Sequence, residues 1–160
     1  DNTGSVTQIP ILTMPSGDKT HPVPDLTGYI TEGQIVLEND LQQKDINPPI
    51  NPLPSLSRLD PKESDTSEDH SAVADQLYAA YARTHELREL VAVIGEDGLS
   101  DDDQAFLDFG DAFEANLLDQ GFDERRDLDE TLSTAWELIR TLPRDQLNKL
   151  SEDTLKEHYD

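Results

Sequence analysis

Apolar residues recur at helical spacing through the second half of the chain. Between residues 70 and 94 they lie mostly three or four positions apart, which is typical of an amphipathic helix. These residues are Val73, Leu77, Tyr81, Leu87, Leu90, Val91 and Ile94. Thr84 interrupts the stripe, and we expect a kink or a break there. Gly95 and Gly98 predict the end of the helix, because glycine is common just past a helical C-terminus.

The sequence after residue 98 predicts further helices of the same kind. Ser100 suits an N-cap, and the carboxylates of Asp101–Asp103 suit the positive end of a helix dipole. An apolar stripe follows and is closed by Gly121, and a third helix is predicted over about 128–142, before Pro143. The apolar residues of these helices and of short C-terminal ones are Phe106, Phe109, Phe113, Leu117, Leu132, Trp136, Ile139, Leu147, Leu150 and Leu155.

The first 60 residues carry a different pattern, with most of the ten prolines and several short apolar runs. Residues 6–14, 25–30 and 33–37 predict short extended segments, and residues 38–44 predict one or two helical turns. Residues 48–58 predict a stiff proline-rich loop, since proline fixes φ and removes a backbone donor. So few strands cannot bury their own faces. This region must therefore dock on the helices or on something outside the chain.

The charge is strongly negative along the whole chain. Lys and Arg number 12 against 35 Asp and Glu, for a formal net charge of −23. Such a charge repels nucleic-acid phosphates and excludes DNA or RNA as a partner. The periodic helices disfavour a disordered acidic tail. Because high salt screens self-repulsion, with a Debye length of about 3 Å at 1 M, we favour a folded protein from a high-salt cytosol over a binder of cationic partners.

Common catalytic and metal-binding patterns are missing. The chain has no cysteine, and its four histidines, His21, His70, His85 and His158, include no i, i+4 pair for zinc. Asp101–Asp103 lacks the alternating spacing of a calcium loop. Neither G-x-x-x-x-G-K-[ST] nor G-x-G-x-x-G occurs, so we expect no phosphate cradle. No apolar run is long enough to span a bilayer, and the N-terminus does not resemble a signal peptide.

Ser55, Ser57 and Arg58 lie at the end of the proline-rich segment. Neither serine lies in a nucleophile elbow, so we expect both to make hydrogen bonds within the loop. Arg58 is a guanidinium at the end of a stiff segment in an acidic chain. Two interpretations stay open: a salt bridge to one of the many carboxylates, or donation to a nucleotide held by a neighbouring chain, where an arginine accelerates phosphoryl transfer by about 10³-fold or more.

Several segments resemble the B subunit of archaeal-type and vacuolar-type rotary ATPases. Residues 48–57 fit the pattern Pro-Pro-Ile-Asn, three residues, Ser-Leu-Ser that nucleotide-domain subunits of rotary ATPases share. The similarity continues over residues 8–15, 20–35, 68–70, 76–82, 90–96, 120–122 and 136–138. It therefore covers nearly the whole chain.

The resemblance implies an α+β fragment. Residues 1–59 would form the last strands of an α/β nucleotide-binding domain, 60–69 a linker, and 70–160 a C-terminal α-helical bundle. The chain would be a regulatory, non-catalytic subunit of a proton-translocating A-type ATP synthase, and its acidity suggests a haloarchaeal source. Arg58, beside Ser55 and Ser57, would act as an arginine finger in the catalytic site of the adjacent A subunit.

The resemblance also implies partners, cofactors and a location. The partners would be the catalytic A subunit, the central stalk, which the helical domain would contact, and the peripheral stalk through the complete complex. The chain alone would bind no cofactor or metal, while ATP or ADP with Mg would lie at the interface with the A subunit. The complex would sit peripherally on the cytoplasmic face of the cell membrane.

Two departures from the family pattern keep an alternative open. Residues 60–67 are acidic and lack an arginine that family members carry in this segment, and most of a nucleotide-binding domain is missing. The alternative is a stand-alone acidic helical interaction module without an ATPase role. A catalytic ATPase subunit is disfavoured by the missing phosphate loop.

Overall fold

A two-stranded sheet with two short helices precedes a bundle of longer helices. The computed structural model describes residues 4, 6–14, 17, 21–58, 69–95 and 98–159. The elements are α1 Pro22–Ile30, β1 Gly33–Leu37, α2 Asn39–Gln43, β2 Ile50–Ser57, α3 His70–Ile94, α4 Asp101–Phe113, a π-helical turn Glu114–Leu118, α5 Leu128–Ile139, a 3-10 turn Arg144–Gln146, and α6 Glu152–His158. The α+β fold class is confirmed. The linker expected at 60–69 lies outside the described residues, apart from Asp69.

Helix α1 replaces the extended segment that the sequence predicted over 25–30. Its N-cap is His21, whose Nδ1 accepts a hydrogen bond from the Val23 N–H at 3.4 Å. Pro22 follows at the first helical position, where its missing N–H costs nothing and its fixed φ suits the helix. The strand expected over 6–14 is also wrong, because these residues have no regular secondary structure and pair with no described strand.

Strand β2 replaces most of the expected proline-rich loop and pairs antiparallel with β1. Pro52 and Pro54 are compatible with a strand here, because each strand of a two-stranded sheet has a free edge. Gly33 is opposite Ser57 in the register. A Cβ on Gly33 would come within 2.7 Å of the Leu56 carbonyl oxygen, so glycine permits the close approach of the two strands.

Helices α3, α4 and α5 share one apolar core. Tyr81, Phe109 and Phe113 lie in it, with ring centroids 4.7 Å apart for Tyr81–Phe113 and 5.7 Å apart for Phe109–Phe113. The other buried members are Val73, Leu77, Ala80, Leu87, Phe106, Ala135, Trp136, Leu138, Ile139, Leu142, Leu147, Leu150 and Leu155. Burying one large apolar side chain contributes about 1.5–3 kcal/mol. Because Phe106, Phe109, Phe113 and Trp136 are all buried in this cluster, they are core residues, as their spacing in the sequence indicated.

Thr84 lies at a helix crossing, and the break that the sequence allowed there does not occur. Helix α3 runs unbroken over 25 residues. The Thr84 hydroxyl lies 2.7 Å from the Phe106 carbonyl oxygen and 3.2 Å from that of Ala80. Its methyl group faces Gly110 of α4, where a Cβ would come within 2.2 Å. The two helices approach this closely because residue 110 has no side chain.

The helix ends follow local signals. Gly95 ends α3 with φ 80°, and Ser100 and Asp103 form a reciprocal capping box at the start of α4, both as predicted. Helix α5 ends at Ile139, before the predicted end at 142. Within the described part of the chain, none of the helices combines the length and the apolar character that a bilayer crossing requires.

We expect Gly110→Ala to lower the free energy of unfolding by about 1–3 kcal/mol, because the added methyl group overpacks the crossing of α3 and α4. Urea unfolding followed by circular dichroism measures this. Gly121→Ala is the matched control, because its Cβ would meet Glu124 at an ordinary 3.8 Å. Equal stability of the two variants would contradict the close packing at Thr84.

Candidate functional site

Arg58 directly follows β2 and is exposed. Its backbone N–H donates to the Glu32 carbonyl at 2.8 Å. Its guanidinium donates through Nη2 to the Gly28 carbonyl at 2.9 Å and through Nη1 to the Tyr29 carbonyl at 3.3 Å. Both carbonyls belong to the last turn of α1, where carbonyl groups lack partners within the helix and the helix dipole is negative.

This arrangement differs from the salt bridge that one interpretation of the sequence offered. Among the described residues, no carboxylate forms an ion pair with Arg58, and the ordered contacts of its guanidinium are backbone carbonyls. A guanidinium has five N–H donors. The two contacts therefore leave donors available for an anion that approaches from outside the chain.

The two candidate serines have different environments. The Ser55 hydroxyl donates to the Asn51 carbonyl at 2.6 Å and accepts from the Val36 N–H at 3.0 Å. It lies where the register shifts between Gln34 and Val36, in the stretch of β2 that has extra residues relative to β1, and there Val36 bonds to this side chain. Ser57 is exposed at the end of β2, next to Arg58. The structure thus brings Ser57 and Arg58 together at the surface, and it uses the Ser55 hydroxyl inside the sheet.

Asn51 anchors the strand that leads to Arg58. It is 6% exposed, its amide donates to the Glu38 carboxylate, and its side-chain oxygen accepts from the Leu53 N–H at 3.0 Å. Tyr78 of α3 donates its hydroxyl proton to the Leu53 carbonyl at 3.0 Å. Sequence reasoning included Asn51 in a family pattern and missed the contacts with Glu38 and Tyr78, since these two residues are distant in sequence from β2.

A second group of charges surrounds Glu114, which is 6% exposed at the start of the π-helical turn. Its carboxylate accepts hydrogen bonds from Lys44 at 2.8 Å, from Arg88 at 2.5 Å and from the Tyr81 hydroxyl at 3.0 Å. We call these four residues the Glu114 cluster. Lys44 follows α2, so the cluster joins the N-terminal region to the bundle. The sequence signal was an acid directly after the apolar Phe113, and sequence reasoning did not use it.

The Glu114 cluster shifts the pKa values of its members and of His85, which packs against Tyr81. Burial alone raises the pKa of Glu114, but the hydrogen bonds and charges of Arg88 and Lys44 outweigh burial and hold that pKa below its usual value. Burial, followed by the charge of Glu114, raises the pKa of Tyr81. Burial, followed by the charge of Arg88, lowers the pKa of His85. Since both oxygens of Glu114 are paired, the cluster stabilises the fold and offers no free acid or base.

Two of the four histidines, His85 and His158, make ring contacts with aromatic side chains. His158 stacks on Trp136 with ring centroids 4.7 Å apart, and its Nε2 lies 3.3 Å from Asp69. Asp69 also accepts a hydrogen bond from Thr154 at 3.3 Å. In the described ranges, no group of three or more metal-ligating side chains is close enough to hold an ion. Asp101–Asp103 forms the first turn of α4.

Two family models match the chain. Residues 59–159 match the C-terminal domain of V and A type ATP synthase. Residues 1–57 match the nucleotide-binding domain of the ATP synthase alpha/beta family.

Proteins similar to this chain are named as subunits of ATP synthases. The B subunit of an A-type ATP synthase from Halorubrum lacusprofundi is 54% identical over 98% of this chain and 34% of its own length. A V-type ATP synthase beta chain 2 of Clostridium tetani is 54% identical over 98% of this chain and 35% of its own length. A solved structure of the ATP synthase subunit NeqB from Nanoarcheaum equitans is 43% identical, with a TM-score of 0.76 over 84% of this chain and 34% of that one. The chain thus spans about a third of the length of these relatives.

We expect Glu114→Gln to lower the free energy of unfolding at neutral pH by about 3 kcal/mol, because it removes one partner of a buried ion pair. The value is near the lower end for such a loss because Lys44 is half exposed. A carboxyl with a lowered pKa stabilises the fold above its unfolded-state pKa, and this contribution is lost as the pH falls through the folded-state pKa. The difference between the two proteins should therefore shrink in acid.

Chemical denaturation at several pH values measures this difference. Glu86→Gln is the matched control, because Glu86 forms an exposed pair with Arg83 and its loss should cost less than about 1 kcal/mol. A difference between wild type and Glu114→Gln that stayed constant from neutral to acid pH would contradict the assignment of this stability to the ionised carboxylate.

Proposed function

This chain belongs to the V- and A-type ATP synthase family and matches the C-terminal portion of its B subunits, and on that premise we propose that it acts as a regulatory, non-catalytic part of an A-type ATP synthase. In this proposal, Arg58 serves as an arginine finger in the catalytic site of the adjacent A subunit. The observation that carries the proposal is the exposed guanidinium of Arg58, which is oriented by two backbone carbonyls and has no carboxylate partner among the described residues.

The proposed chemistry is stabilisation of charge. During phosphoryl transfer, negative charge develops on the phosphate oxygens and on the leaving group, and a guanidinium placed close to them lowers the barrier. The planar group matches phosphate oxygens in a bidentate manner, which an ammonium does not. ATP or ADP with Mg would be bound by the A subunit at the interface, and Ser55 and Ser57 would shape the strand end that presents the arginine.

The helical bundle supports a second contact. Exposed apolar side chains at the end of α3, Leu90, Val93 and Ile94, precede the acidic first turn of α4. A surface of this kind suits a partner that offers apolar and basic groups. We assign that role to the central stalk, with the peripheral stalk joined through the complete complex at the cytoplasmic face of the cell membrane.

The alternative of a stand-alone acidic interaction module is not favoured. The similarity to proteins named as ATP synthase subunits extends over 98% of the chain, and it includes the segment that carries Arg58. A module without an ATPase role has no observation of its own to support it.

We expect Arg58→Ala to lower ATP turnover of the assembled complex by about 10³-fold or more. Arg58→Lys should recover little, because lysine keeps the charge and loses the planar fork. Steady-state hydrolysis assays on complexes that contain each variant measure this. Turnover equal to that of the wild type would exclude the proposed role.

Assembly is the control for this experiment. Because Arg58 is exposed at a strand end, both variants should co-elute with the A subunit and the stalk in size-exclusion chromatography in molar salt. If the wild-type chain itself fails to join the complex, the stand-alone module becomes the better hypothesis.

We also propose that the chain works in high salt. Support comes from the formal net charge of −23 and from the halophile relative, although bacterial relatives are equally similar. Unfolding midpoints of the isolated chain should rise as KCl increases from about 0.1 M to about 2 M, because screening relieves self-repulsion. A triple variant that neutralises exposed acids, Asp75→Asn, Glu89→Gln and Glu137→Gln, should respond less to salt. A midpoint independent of KCl would contradict this adaptation.

A further inference from the structure

We propose that the last turn of α1, together with Gly28 and Gln34, positions the guanidinium of Arg58 for the anion that it meets. This inference rests on the proposed function for its catalytic consequence, while its structural part stands on the contacts of the isolated chain. We call the carbonyls of Gly28 and Tyr29 the α1 carbonyl pair.

The α1 carbonyl pair is suited to orienting the guanidinium of Arg58. Its two oxygens lie 2.9 Å from Nη2 and 3.3 Å from Nη1 of Arg58, so each terminal nitrogen has one backbone acceptor. Two acceptors on two different nitrogens fix the plane of the group as well as its location. The side chain is exposed and would otherwise sample many rotamers. An anion therefore meets a guanidinium that is already ordered, which reduces the entropic cost of binding.

Gln34 sets the distance between the carbonyl pair and the strand that carries Arg58. It lies on β1 opposite Leu56, and its Nε2 donates to the Pro54 carbonyl of β2 at 3.1 Å. Its Oε1 lies 3.0 Å from the point that a Cβ on Gly28 would occupy. One side chain thus bonds to β2 and packs against α1, in the space that the missing side chain of Gly28 provides.

Gly28 is the position that tests this arrangement. It lies inside α1, where alanine is a better helix former than glycine, so Gly28→Ala should not weaken the helix. The new methyl group would meet the amide at the end of the Gln34 side chain and displace it, so the spacer between α1 and β2 would be lost. Gln34→Ala removes the same spacer from the other side. Gln43→Ala, at an exposed glutamine of α2, is the matched control.

The first measurement uses the isolated chain and is independent of ATP. In ¹⁵N NMR, a guanidinium held by two acceptors rotates slowly, so the Nη signals of Arg58 should be separate in the wild type and in Gln43→Ala. Arg58→Lys identifies these signals. They should merge in Gly28→Ala and in Gln34→Ala. Signals that stay separate in both variants, or that are already merged in the wild type, would overturn the inference.

The second measurement is ATP turnover by the assembled complex. Gly28→Ala and Gln34→Ala should each lower kcat by about 10-fold with KM unchanged, because a small displacement of a catalytic group is costly. Neither should lower kcat further in an Arg58→Ala background. A similar loss of kcat in the Arg58→Ala background would indicate a general structural defect. A rise in kcat when Gly28→Ala or Gln34→Ala is made in the wild-type chain would mean that the carbonyl pair holds the arginine away from its productive position. Either result would overturn the inference.

The two measurements separate the two hypotheses. If Arg58→Ala leaves turnover unchanged, the proposed function fails, and the NMR comparison still decides whether the carbonyl pair orders the guanidinium. If the NMR comparison fails and Arg58→Ala abolishes turnover, the arginine finger stands and the positioning role of α1 is wrong.

Discussion

The N-terminal region depends on the buried carboxylate of Glu114. This region buries few apolar side chains, and α1 buries none, so it lacks a core that would hold it in place. The ion pair of Glu114 with Lys44 attaches the end of α2 to the bundle, while the pair of Glu114 with Arg88 holds the carboxylate in place within the bundle. Hydrogen bonds of Asn47 with Asp119 and Gln120 join the same two parts. Directional polar contacts thus compensate for a small hydrophobic contact area.

These attachments give the strand that carries Arg58 a defined place. Asn51 connects β2 to Glu38 in front of α2, and Tyr78 connects it to α3. Arg58 is therefore attached to the sheet and, through the contacts of the sheet, to the bundle. The position of the guanidinium therefore depends on contacts with both α2 and α3.

The sequence predicted the helical bundle well and the N-terminal region poorly, for physical reasons. Long stripes such as Phe106, Phe109 and Phe113 reflect burial on one face, which periodicity detects. The prolines of residues 48–58 predict a loop, yet Pro52 lies in a strand with a free edge, and Pro22 occupies the first turn of a helix where the sequence suggested none. The local sequence does not reveal whether the missing N–H of a proline would have donated a hydrogen bond in the folded protein.

The candidate site shows a similar division. The residue type and position of Arg58 were visible in the sequence, because a guanidinium after a stiff segment is unusual in so acidic a chain. Its partners were not, since the carbonyls of Gly28 and Tyr29 are backbone groups that every residue possesses. The role of Thr84 is hidden from the sequence for a related reason, because it depends on Gly110, which packs against it from another helix.

Asp69 has a consequence for how the bundle moves. It immediately precedes α3, and it contacts Thr154 and His158 of α6. The first and last helices of the bundle are therefore joined at one point, next to the segment that connects the bundle to the sheet. A load applied at the start of α3 would therefore be shared between the first and the last helix of the bundle.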